Sequence, residues 1–207
     1  MSKQTEYAWE HTLAPSTLFD PYSLTAEVLR DCPPLFWWPL WAGVSRSGDL
    51  GFTSGPYSVD GKRRGYYFTV WARQADGSWK WLMDAGPPSD PTGAAVKDSE
   101  VAYARLAARQ AGSPGKAMAQ VNAAEVALHA AARTDVKAAF LAVVADDGRI
   151  AGSRAPPPRT RVELETELAS RPLSITYARL GGQASQAGDL VWTYGVAQWT
   201  ADRKSVV

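Results

Sequence analysis

The chain contains few of the residues from which metal and redox sites are built. Its 207 residues include a single cysteine and two histidines. One cysteine can form neither an internal disulfide nor a cysteine-based zinc cage, so Cys32 is expected to be a buried or incidental thiol. No Asp or Glu clusters with the histidines at ligand spacing. The sequence therefore predicts no metal site and no cofactor.

Long apolar runs and strong net charge are also missing. No run approaches the ~20 apolar residues that span a bilayer, and the polar stretch SKQTEYAWEH after Met1 is not typical of a signal peptide. A formal net charge of +1 provides no field that attracts nucleic acid, and the basic residues 62–64 are expected to be a solvated loop tip. We therefore expect a cytoplasmic protein with neither membrane nor nucleic acid as a partner.

Aromatic residues are abundant instead. The chain has nine Trp and eight Tyr, and 45% of its residues are hydrophobic, which is enough for a globular core. Trp and Tyr combine a large apolar area with one polar group, so they suit pockets and interfaces. Ordinary core packing in a small sheet is the alternative explanation.

The first half of the chain has the pattern of an antiparallel meander. The strand-like segments LFWWPLWAGV, DLGFTSGPYSV, RGYYFTVWARQ and SWKWLMD are separated by short turns, with hairpin signals at Asp60-Gly61 and Asp76-Gly77. Simple alternation in the last segment places Trp81 on one side and Asp84 on the other.

The second half has helical periodicity before two further strands. We predict a helix over residues 99–110, then helices over residues 116–144 with a break and an N-cap at Thr134-Asp135. A short charged helix over residues 161–170 precedes strands at residues 173–180 and 189–199.

One short motif occurs twice. SGDLGFTSGPY near residue 50 and AGDLVWTYGVA near residue 190 share five residues at identical spacing. The shared residues are Gly48, Asp49, Leu50, Thr53 and Gly55, matched by Gly188, Asp189, Leu190, Thr193 and Gly195. Because each Asp follows a tight turn, we expect its carboxylate to bond nearby backbone amides.

The motif and the strands after it carry a family resemblance. GDLGxTxGxY followed by GxYxTVWxRQxDGxWKxxxD resembles the SnoaL-like branch of the nuclear transport factor 2-like superfamily, also called ketosteroid-isomerase-like or cystatin-like. The resemblance implies an α+β fold in which helices cross a curved antiparallel sheet, giving a cone-like roll with an apolar cavity at its mouth. VNAAEVALHAAARTDVKAAFLAVVADDGRI resembles the opening helices of such domains.

Two domain arrangements fit the repeated motif. In the first, residues 1–90 form one unit with a complete meander, residues 91–114 form a linker with a helix, and residues 115–207 form a second unit that lacks its last strands. In the second, the chain is one permuted-looking domain whose central helices cover the first sheet. The last strands would then extend that sheet or pair with another chain.

The first functional hypothesis is binding of a small apolar molecule in an aromatic cavity. The residues expected to line this cavity are Trp37, Trp41, Phe52, Tyr67, Trp71 and Trp81.

Two rival hypotheses stay open. One is an acid/base lyase or isomerase of the same fold, with His11, Asp20, Asp84 and Tyr67 as candidate catalytic residues. Aromatic walls that desolvate a carboxylate raise its pKa, so a buried, hydrogen-bonded carboxylate would favour the enzyme. The other is a homodimeric interaction module that uses Trp-rich sheet faces and binds no ligand.

Overall fold

The computed structural model describes residues 35–86, 99–105, 112–150, 157 and 160–200. The described chain is α+β, with one six-stranded mixed sheet, one two-stranded sheet and three helices. The strands are β1 (Leu35–Trp37), β2 (Trp41–Val44), β3 (Leu50–Val59), β4 (Lys62–Arg73), β5 (Trp79–Ala85), β6 (Ala102–Tyr103), β7 (Thr176–Ala184) and β8 (Val191–Gln198). The helices are α1 (Pro114–Ala132), α2 (Val136–Leu141) and α3 (Arg161–Ala169).

The predicted meander is confirmed in the first sheet. Its strand order is β5-β4-β3-β2-β6, and β2 to β5 pair antiparallel in chain order. Asp60 and Gly61 join β3 to β4 with φ of 52° and 69°. Positive φ at both central residues fits the strand twist of a two-residue hairpin, and Gly adopts it without strain.

The segment LFWWPLWAGV forms two strands, because it is interrupted around Pro39, which cannot donate to a ladder. Both β1 and β2 pair with β3, on either side of Gly55. A Cβ on Gly55 would overlap the carbonyl oxygen of Trp38. Because position 55 has no side chain, the backbone between β1 and β2 can lie close against β3.

The helix predicted over residues 99–110 is wrong in its described part. Ala102–Tyr103 forms β6, which pairs parallel to the edge of β2. The Ala102 N–H donates to the Leu40 carbonyl at 2.9 Å, and the Ala104 N–H donates to the Ala42 carbonyl at 2.8 Å. Pairing with an open strand edge thus outweighs the helical propensity of this segment. Residues 106–110 of the predicted helix lie outside the described residues.

The other predicted helices are confirmed. The Asp135 side chain caps α2 by accepting from the Ala138 N–H at 2.9 Å, at the predicted break. Helix α1 begins two residues before the expected start, at Pro114, with Ser113 as its N-cap. Helix α3 begins with a capping box formed by Thr160 and Glu163.

Strands β7 and β8 pair antiparallel and pack against α1, and Phe140 of α2 contacts Tyr177 of β7. The buried centre of this second half is formed by Ala132, Val136, Ala139 and Ile175. Leu128, Phe140, Tyr177, Ala197 and Trp199 pack around it.

The turn before β3, residues 45–50, is closed by its own side chains. The Ser45 N–H donates to the Leu50 carbonyl at 2.8 Å, and the Ser45 hydroxyl donates to Asp49 Oδ1 at 2.8 Å. Gly48 has φ of 66°, a conformation that side chains disfavour. We call this segment the first turn.

The turn before β8, residues 185–190, has the same internal hydrogen bonds. The Ser185 N–H donates to the Leu190 carbonyl at 2.8 Å, and the Ser185 hydroxyl donates to Asp189 Oδ1 at 2.9 Å. Gly188 also has φ of 66°. We call this segment the second turn. Each aspartate takes part in its turn as expected, but its partner within the turn is a serine hydroxyl, and the backbone amide that it accepts from belongs to the other turn.

Candidate functional site: an aromatic pocket on the first sheet

One face of the first sheet contains a pocket of about 300 Å³. Side chains alternate between faces along a strand, and the β3–β4 register places Thr53, Tyr67, Thr69 and Trp71 on the same face. The apolar walls of the pocket are Leu35, Trp37, Tyr57, Trp71 and Trp81. Its polar lining consists of Tyr67, Thr69 and Asp84 beside Gly86.

A bulge brings Trp81 and Asp84 together, which corrects the expectation that they point to opposite sides. Thr69 pairs with Asp84, but the register then shifts so that Trp71 pairs with Trp81 and Leu82 is left over. An extra residue in one strand reverses the alternation beyond it. Both Trp81 and Asp84 therefore line the pocket.

The indole walls are held by neighbouring groups. Trp71 Nε1 donates to Thr53 Oγ1 at 2.9 Å, which fixes the plane of the Trp71 ring. Trp37 packs edge-on against Tyr67, with ring centroids 5.3 Å apart, and lies 6.3 Å from the Trp71 ring. Aromatic contacts of this kind orient the rings in addition to burying area.

Tyr67 supplies a polar group that has no partner within the described chain. The residue is 6% exposed, and its buried hydroxyl has no hydrogen-bond partner among the described residues. Burial raises the pKa of Tyr67 to about 12; the Asp84 charge adds to the increase, and the Thr53 hydroxyl, which is nearby but outside hydrogen-bond geometry, opposes it. The phenol is therefore neutral near pH 7. A buried hydroxyl without a partner costs about 1–3 kcal/mol, which a hydrogen-bonding ligand would recover.

Asp84 is the carboxylate of the pocket. It accepts a hydrogen bond from the Thr69 hydroxyl at 2.5 Å, and the residue is exposed at the end of β5. An exposed carboxylate keeps its water, so the desolvation expected of a general acid or base is missing at this position. The arrangement is suited to binding an apolar ring that carries a polar group.

The remaining predicted residues lie elsewhere. Trp41 and Phe52 are on the opposite face of the sheet, packed edge-on with ring centroids 4.6 Å apart, and the Arg149 guanidinium lies 4.8 Å above the Trp41 ring. Of the predicted lining, Trp37, Tyr67, Trp71 and Trp81 are brought together in the pocket. His11 and Asp20 fall outside the described residues.

Sequence reasoning missed two groups of polar contacts. Thr69 lines the pocket two residues after Tyr67, a signal that strand alternation could have provided. In the second half, the Thr193 hydroxyl donates to Glu125 Oε1 at 2.5 Å, and an Arg179 guanidinium nitrogen lies 3.5 Å from Glu125 Oε2. The only sequence signal for Thr193 was that it matches Thr53 in the repeated motif.

Among the residues that the structure describes, no group of three or more His, Cys, Asp or Glu could hold a metal ion. Within the same part of the chain, no helix is both long and apolar enough to cross a membrane. Comparisons with protein-family models, curated proteins and solved structures gave no match for this chain.

Proposed function

We propose that the pocket on the first sheet binds a small, mostly apolar ring compound that carries one hydrogen-bonding group. The observation that supports this most strongly is the Tyr67 hydroxyl, which is buried without a partner among the described residues and lines an indole-walled pocket. The volume of about 300 Å³ is at the small end of the ~300–1,000 Å³ typical of ligand sites.

The proposed architecture behind this pocket is a SnoaL-like, cone-like roll that is present in two imperfect copies. Two likenesses support it. The first and second turns have the same internal hydrogen bonds. Gly55 and Gly195, which occupy equivalent positions of the repeated motif, each lie so close to a neighbouring backbone carbonyl that a Cβ would overlap it.

The binding proposal is tested with two probes that differ by one hydroxyl, 2-naphthol and naphthalene. Titrations followed by tryptophan fluorescence should show that the protein binds 2-naphthol more tightly. In Tyr67→Phe, the 2-naphthol affinity should fall roughly three- to tenfold, the value of a typical net hydrogen bond, while the naphthalene affinity stays unchanged.

Trp41→Phe is the matched control, since Trp41 lies on the opposite face of the same sheet. It should bind both probes like the unmodified protein. If Tyr67→Phe retains the full preference for 2-naphthol, or if Trp41→Phe loses binding, the pocket is not the binding site.

A further inference from the structure

The first and second turns bind each other in a reciprocal way. Asp49 Oδ2 accepts from the Gln186 N–H at 2.9 Å, and Asp189 Oδ2 accepts from the Arg46 N–H at 3.0 Å. Each turn thus supplies a backbone donor and a carboxylate acceptor at equivalent positions, and the Ala187 N–H of the second turn also donates to the Ser47 hydroxyl at 3.0 Å. A surface that carries both members of such a pair can bind a copy of itself through a two-fold axis.

Internal bonds prepare each turn for this contact. Because a serine hydroxyl holds Oδ1 of Asp49 and of Asp189 within its own turn, Oδ2 is left to accept from outside. The Asp189 side chain is fully buried beside Arg46. The recognition geometry of a turn is therefore present before its partner arrives.

The two turns differ in charge. Arg46 in the first turn lies 3.5 Å from Asp189, whereas the second turn has the neutral Gln186 at the equivalent position. Two first turns meeting across a two-fold axis would form the equivalent ion pair, between Arg46 of one copy and Asp49 of the other, twice. Two second turns would form none.

We propose that the first turn is a docking surface for a second copy of this chain, and that the second turn normally occupies it from within the chain. In the dimer, the Arg46 N–H of each copy donates to Asp49 Oδ2 of the other copy. The intrachain contact competes with this pairing, because a tethered partner has a high effective concentration. Release of the second turn therefore frees the first turn to pair with the first turn of another copy.

The test uses the full chain and measures dimer dissociation constants by sedimentation velocity. Asp189→Ala removes the acceptor that holds Arg46 and leaves every residue of the first turn in place. We expect its dimer affinity to rise by roughly tenfold over the unmodified protein. The near-isosteric Asp189→Asn should shift the affinity in the same direction by less, and it serves if the alanine variant does not fold.

The double variant Asp49→Ala/Asp189→Ala distinguishes this dimer from nonspecific association. It lacks the acceptor on both turns, so its dimer affinity should return to that of the unmodified protein. The proposal would be overturned if the single Asp189 variants sediment like the unmodified protein, or if the double variant dimerises as tightly as Asp189→Ala.

Discussion

Strands β3 and β8 carry the same motif residues but face different surroundings. On β3, Thr53 accepts from the Trp71 indole, and its face of the sheet opens into the pocket. On β8, the equivalent Thr193 donates to Glu125 of α1, which packs against that sheet. The motif thus specifies the turn and the strand that follows it. Whether that strand lines a cavity or contacts a helix depends on what packs against its sheet.

The largest difference between the two occurrences of the motif should come from the leucine that ends each turn. Leu50 is 1% exposed, whereas Leu190 is only partly buried. Leu50→Ala should lower the free energy of unfolding by about 3 kcal/mol, and Leu190→Ala by about 1 kcal/mol, because the loss grows with the cavity that is created. Urea unfolding measures both values, and equal losses would contradict the difference in burial.

The repeated glycine should behave alike in the two occurrences of the motif. A Cβ at Gly55 or Gly195 would overlap the carbonyl oxygen of Trp38 or Ala178, respectively. Each Gly→Ala change should therefore destabilise the chain by about 2 kcal/mol. Gly115→Ala is the matched control, since nothing lies near its Cβ and alanine favours the helix by up to about 1 kcal/mol. If thermal unfolding showed that Gly55→Ala and Gly195→Ala are as stable as Gly115→Ala, close backbone approach would not explain these two glycines.

The repeated threonine should separate stability from binding. Thr193→Val removes the donor to the partly buried Glu125 and should cost about 1.5 kcal/mol, as hydrogen bonds to charged groups do. Thr53→Val removes the acceptor of Trp71 and should cost about 1 kcal/mol. Only Thr53→Val should weaken 2-naphthol binding, since it frees a pocket wall. A binding loss in Thr193→Val would show that the two occurrences of the motif are not functionally distinct.

The smallest effect concerns acid stability. Burial raises the pKa of Asp49, but hydrogen bonds from Ser47, the Gln186 N–H and Ser45 outweigh burial and hold it below the ordinary 3.8. At pH values near 3.8 the native state binds fewer protons than the unfolded state. The contribution of Asp49 to the free energy of unfolding is therefore complete above the unfolded-state pKa and is lost as the pH falls through the native-state pKa. Urea unfolding from about pH 6 to about pH 3 should show a steeper loss than in Asp49→Asn. Parallel curves would argue against this role.

Local chemistry made much of the fold predictable. The hairpin at Asp60-Gly61 and the N-cap at Asp135 follow from short-range preferences that the structure retains. The parallel strand β6 was not predictable, because it depends on the open edge of β2. The pocket was predictable only in part, since the bulge at Leu82 reverses the side of Trp81 relative to Asp84.

Trp71 and Trp41 lie on opposite faces of the first sheet. This follows from the pairing registers of the strands, which composition does not reveal. The contact between Glu125 and Thr193 joins residues 68 positions apart, beyond the reach of any local pattern.

The most direct test compares one tyrosine from each half by fluorescence titration with 2-naphthol. Tyr67 lines the pocket, whereas Tyr177 stacks on His129 with ring centroids 5.3 Å apart. The binding proposal predicts that Tyr67→Phe raises the dissociation constant roughly three- to tenfold and that Tyr177→Phe leaves it unchanged. Equal effects of the two substitutions, or an effect of Tyr177→Phe alone, would contradict it.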